Sequence, residues 1–79
     1  MVFVEASVFT QQVRQLLDDD TFRAFQTDLA RDPEKGMVMP GCGGLRKARV
    51  EASQRGKGKR GGFRVIYLDI PEADRIDLL

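Results

Sequence analysis

The chain has no histidine and no tryptophan, and only one cysteine, one tyrosine and three prolines in 79 residues. The missing histidine removes the commonest general base and the commonest zinc ligand, which argues against a structural or catalytic zinc site. A single cysteine, Cys42, excludes an internal disulfide and fits a reducing, cytoplasmic setting. Apolar runs fall well short of the roughly 20 residues that span a bilayer, so no membrane partner is expected. The opening MVFVEASVF lacks a basic n-region and does not read as a secretory signal. Residues 56–61 match G-x-G-x-x-G by letter, but strand-like runs lie on both sides instead of a strand and a helix. No P-loop is present either, so no cofactor is expected. A chain this short makes one domain and buries only about 60% of its unfolded surface.

What is present reads in order as a small α+β domain, β-α-α-β-β-β, with an antiparallel sheet and both helices on one of its faces. Val2, Phe3, Val4 and Glu5 form a β-branched and aromatic first strand. Ser7 is placed to cap a helix to about Leu17, in which Phe9, Val13, Leu16 and Leu17 share a face. Asp18 reads as the N-cap of a second helix, with Asp19 and Asp20 in its first turn, where the macrodipole favours anions. Phe22, Phe25 and Leu29 make its apolar stripe, and Pro33 ends it near Asp32. A glycine-rich loop follows, with residues 37–39 as a short extended piece. Residues 71–74 read as a turn and 75–79 as a last strand. There is no repeat, linker or domain boundary.

The chain is organised around residues 44–68. Strand-like runs over 45–52 and 63–70 flank a Gly- and Lys-rich connection, the pattern of a β-hairpin. From Gly44 to Arg64 there are eight bases and one acid, a balance of +7, which leaves 5 − 11 = −6 on the other residues. The formal net charge of +1 therefore conceals a bipolar molecule, and a basic strip on an acidic domain is the footprint of a polyanion. Alternation puts Arg46, Ala48, Val50 and Ala52 on one face of the first strand and Lys47, Arg49 and Glu51 on the other. Matching Ala48, Val50 and Ala52 to Phe63, Val65 and Tyr67 gathers Lys47, Arg49 and Arg64 on the opposite face. The alternative is a solvated charged face that blunts edge pairing. Arg55, Lys57, Lys59 and Arg60 lie in the connection without an acid among them, placed for phosphate contact or simply solvated.

Cys42 has no histidine to activate it and reads as an inert small residue. Gly41, Gly43 and Gly44 mark positive φ or close backbone approach, with phosphate binding by their amides as the alternative. Tyr67 belongs to the apolar face, with its hydroxyl reaching a partner.

The runs PGCGGLRKARV and GKGKRGGFRVIYL resemble the HigB branch of the RelE superfamily, the ribosome-dependent mRNA endonucleases of bacterial toxin–antitoxin pairs. The resemblance covers nearly the whole chain. It implies a RelE-like fold, mRNA on the ribosome as substrate, and a cognate antitoxin as partner. It places Lys47, Arg49 and Arg64 at positions that contact and activate RNA; from their charge, Arg46, Arg55, Lys57, Lys59 and Arg60 are read as further RNA-binding residues. Cleavage by internal attack needs a proton taken from the 2′-OH, a stabilised phosphorane and a proton given to the leaving 5′-oxygen. Arginine clamps phosphate bidentately, and a lysine among cations can exchange a proton. Lys47 is thus the candidate proton-transfer group, and Arg49 and Arg64 the clamps.

Family chains continue through the last strand into a further basic segment and a helix, whereas this sequence stops at Leu79. The expectation is a domain lacking that segment and a weaker nuclease; the alternative function is a remnant that binds RNA or antitoxin without cleaving. Ile66, Leu68 and Ile70 share the face of Arg64 and would be left for a homodimer or an antitoxin segment to cover. Binding to single-stranded RNA should weaken with salt by roughly 0.7 in log–log slope per phosphate neutralised. Removing Lys57, Lys59 and Arg60 together should flatten that slope; an unchanged slope in a salt titration would show that the connection makes no phosphate contact.

Overall fold

The computed structural model describes residues 1–50 and 62–79. Along the chain lie β1 (Val2–Glu5), α1 (Ser7–Leu16), α2 (Asp19–Arg31), β2 (Met37–Val38), β3 (Arg46–Val50), β4 (Phe63–Ile70), a 3-10 turn (Pro71–Ala73) and β5 (Arg75–Leu78). The class is α+β: two helices and one five-stranded sheet in the order β1-β5-β4-β3-β2. The sheet is mixed, not antiparallel throughout, because β1 runs parallel to β5. Alternation specifies which face a residue takes, but not the direction of the neighbouring strand. Here direction is decided where the 3-10 turn reverses the chain at Asp74, in the left-handed region at φ 51°. That reversal lays β5 alongside β1, where Val2 N–H donates to the Asp74 carbonyl at 3.0 Å and Ala6 N–H to that of Leu78 at 2.9 Å. The Met1 ammonium meets Asp74 at 3.0 Å.

The two helices start differently. The Asp18 carboxylate accepts from Thr21 N–H at 2.7 Å, the N-cap its position implies. Ser7 is not a cap: Ala6 holds that place without a side-chain hydrogen bond, and Ser7 is the first helical residue. Thr10 instead donates to Glu5 at 2.6 Å, tying the first turn to the end of β1.

Both helices face one side of the sheet. Phe9 of α1 and Phe25 and Leu29 of α2 join Ala48, Val50, Val65, Tyr67, Ile76 and Leu78 in a single core. Phe9 and Phe22 set their rings 5.9 Å apart at 47°, closing the joint between the helices. Leu16, grouped with the apolar stripe of α1, is half exposed because it sits at the helix end, beside a groove floored by Phe63 and Val65.

The loop between α2 and β3 is drawn onto the sheet by Tyr67. The phenol donates to the Pro33 carbonyl at 2.8 Å and accepts from Gly36 N–H at 2.9 Å. Arg46, paired with Tyr67 across the strands, donates to the Gly36 carbonyl at 2.8 Å and to that of Glu34 at 3.1 Å. Gly36 is buried so tightly that a Cβ would lie 2.7 Å from the Tyr67 hydroxyl and 2.9 Å from the Lys47 carbonyl oxygen. Burial pushes the Tyr67 phenol above its ordinary value, opposed by the Gly36 hydrogen bond.

Tyr67→Phe would take this partner from the buried Gly36 N–H and the part-buried Pro33 carbonyl and should cost about 1–3 kcal/mol, read as a lower urea midpoint at unchanged slope. Gly36→Ala should cost at least as much, since the methyl meets backbone as well as the ring. Because the folded phenol titrates above its ordinary value of 10.0, its stabilisation is complete below that pH and is lost as pH rises through the folded value. Wild type should show that alkaline loss and Tyr67→Phe should not.

Candidate functional site

The hairpin register carries the site. Arg46 pairs with Tyr67, Lys47 with Ile66, Ala48 with Val65, Arg49 with Arg64 and Val50 with Phe63. The apolar partners fall on the helix side and are buried, apart from half-buried Phe63. Lys47, Arg49 and Arg64 fall on the opposite, open face and are all exposed. The faces are those expected from alternation. The register is offset by two residues from the match of Ala48 to Tyr67, which sets Arg46 opposite Tyr67 instead.

The three cations form a compact group. Arg49 and Arg64 are direct cross-strand partners, so their Cβ atoms stand about 4.5–5.5 Å apart. Lys47 is one step along the same face, about 7 Å from Arg49. Gly62 borders the group at φ 113°, and a Cβ there would lie 3.0 Å from Arg49 Nε. The Arg49 side chain therefore lies against the Gly62 backbone, at the rim of a cleft of about 550 Å³ that also takes in Asp20, Asp28 and Lys35. Elsewhere on the open face Arg75 and Asp77 neutralise each other through a contact of 2.9 Å. The Arg49–Arg64 pairing opposes like charges and is a local cost to the sheet. An anion held between the two guanidiniums would relieve it.

The other candidate residues are placed differently. Arg46 lies on the helix side of β3, half-buried, with its guanidinium on the Glu34 and Gly36 carbonyls. Arg55, Lys57, Lys59 and Arg60, like Glu51, Ala52 and the 56–61 glycine motif, lie outside the described residues. Cys42 is exposed in a turn in which its N–H donates to the Met39 carbonyl at 3.2 Å. Gly41, Gly43 and Gly44 all have positive φ, 74°, 68° and 91°, which accounts for three glycines in so short a turn. Among the described residues no group of three or more His, Cys, Asp or Glu could hold a metal ion. Among them, no helix is long and apolar enough to cross a membrane.

Ile66, Leu68 and Ile70 are half-buried, less open than their unmatched pattern implied. One reason is the glycine turn: a Cβ on Gly44 would lie 3.7 Å from Leu68 Cδ1, so the turn reaches the Leu68 side chain. The short extended piece read over 37–39 is β2, but its pairing, which sets Met37, 70% exposed, beside Lys47, was not legible, because a two-residue strand carries no periodicity. No known protein-family model matches the chain.

Arg64→Glu should turn a repelling cross-strand pair into an attracting one and raise stability by about 0.2–1 kcal/mol in urea unfolding. It should also abolish stabilisation by added phosphate, which in wild type should raise the midpoint. A variant that is less stable, or still stabilised by phosphate, would show that Arg49 and Arg64 do not act as an anion-binding pair.

Proposed function

We propose that the chain is a RelE/HigB-like toxin of a bacterial toxin–antitoxin pair, a ribosome-dependent endoribonuclease that cleaves mRNA in the decoding site and blocks translation. It acts in the cytoplasm and is held silent by its antitoxin. The observation that carries this reading is the convergence of Lys47, Arg49 and Arg64 on the sheet face that the helices leave open. The two-helix layer on one face of the sheet supports the reading, since the resemblance implies helices packed on one face only.

The chemistry needs neither histidine nor metal. With a phosphodiester between Arg49 and Arg64, the guanidiniums hold its non-bridging oxygens and stabilise the charge that grows on them as the 2′-oxygen attacks phosphorus. Lys47 gives a proton to the leaving 5′-oxygen and regains one from the attacking 2′-OH, so that no net proton is gained or lost, giving a 2′,3′-cyclic phosphate and a free 5′-OH. Arg46 supports the reading indirectly. By holding the 34–36 loop it sets β2 beside Lys47.

The second reading, binding of RNA or antitoxin without cleavage, has its own support. Only Lys47 among the three cations is suited to move a proton, and it is exposed rather than enclosed.

Both readings are tested by translation arrest and primer extension on ribosome-bound mRNA. Under the first, Arg49→Ala and Arg64→Ala should each reduce cleavage about 10²–10³-fold, and Lys47→Ala by a comparable factor. Cleavage absent in wild type, with RNA binding still dependent on these residues, would establish the second reading. Binding indifferent to all three substitutions would sink both.

A further inference from the structure

Beside the cations, the open face carries apolar surface that phosphate binding does not explain. Met37, Lys47 and Ile66 are register partners in succession across β2, β3 and β4. Paired residues point to one side, so the three stand in a single row about 10 Å long. Met37 is 70% exposed and Ile66 half-buried. The aliphatic stem of Lys47 joins them into a continuous strip, leaving its ammonium free. The Arg49–Arg64 row lies one step along the strands, about 7 Å away. On the other side the row is bounded by Leu68, under the glycine turn.

We propose that this row is a base-packing platform: an unpaired nucleobase lies flat on Met37, the Lys47 stem and Ile66 while its phosphate sits between Arg49 and Arg64. The inference rests on the RNA reading above and adds a subsite to it. Three observations favour single-stranded nucleic acid as the occupant. The cations and the apolar row are adjacent, matching a ligand that alternates charge and flat apolar surface. Among the described residues the only carboxylate standing on this face, Asp77, is neutralised by Arg75. The row itself is formed by neighbouring strands and suits a planar base, while the groove that could take an amphipathic helix lies to one side, where Arg64 and Ile66 meet α1. A duplex would not fit, because only an unpaired base offers its face.

The test uses fluorescence anisotropy with three labelled probes of equal length: oligoadenylate, its abasic ribose-phosphate counterpart and an RNA duplex. Wild type should bind oligoadenylate about fivefold or more tightly than the abasic strand or the duplex. Met37→Ser removes a solvent-facing side chain and should leave the melting temperature unchanged. It should erase the preference for oligoadenylate while leaving abasic binding as it was. Arg64→Gln should weaken both single strands alike. Equal affinity of wild type for oligoadenylate and the abasic strand, or an equal loss of both in Met37→Ser, would overturn the platform and leave the RNA reading standing. Single-strand binding indifferent to Arg64→Gln and Lys47→Ala would remove the RNA reading and the platform with it. An acidic amphipathic peptide that displaces oligoadenylate and loses affinity in Met37→Ser would make the row a protein-docking surface and overturn the proposal.

Discussion

The phenol of Tyr67 is the point on which the rest of the molecule depends. It is fully buried, and it joins the core to the loop that returns from α2 to the sheet. A buried hydroxyl must find partners, and this one is satisfied by the backbone of Pro33 and Gly36. Those two contacts fix where the chain leaving α2 meets the sheet. Arg46 completes the arrangement from the neighbouring strand by covering the carbonyls that the phenol leaves over. Only glycine fits at position 36, because the ring and the Lys47 backbone already occupy the space of a side chain.

That anchor explains how so small a core can carry a charged face. The helices cover one side of the sheet, and the residues packed there alternate strictly with the exposed cations of the other side. Stability resides on the helix side, in Leu29, Tyr67, Ile76 and Leu78, none of which has measurable exposure. The open side works against stability at Arg49 and Arg64, which repel each other across the ladder. An anion between the two guanidiniums would relieve that repulsion, which supports the proposed reading of this face.

The β4 strand runs through both sides, and its two neighbours overlap it only in part. β3 accompanies its Phe63–Tyr67 stretch and β5 only the part from Tyr67 onward, with one further bond from Leu79 N–H to the Ile66 carbonyl at 2.9 Å. Among the described residues, the start of β4 therefore has a neighbour on one side only. The groove of Phe9, Val13, Leu16, Phe63 and Val65 runs beside it. Arg64 and its partner Arg49 stand at this same end of the strand.

The sequence by itself determined the elements and the faces. Alternation in 45–52 and 63–70 separates Lys47, Arg49 and Arg64 from Ala48, Val50 and Val65, since a one-residue slip would bury charge. The cap at Asp18 and the stop at Pro33 were also legible, because each acts through its nearest backbone neighbours. Tertiary structure decided what local pattern cannot encode. The parallel pairing of β1 with β5 depends on contacts between the two ends of the chain. The two-residue offset of the hairpin preserves both faces, so no hydrophobic argument distinguishes it, yet it moves Arg46 onto Tyr67 and into the loop clamp. Met37 joined Lys47 only once that clamp had laid β2 on β3, for a strand of two residues is specified by what it packs against and not by its own composition.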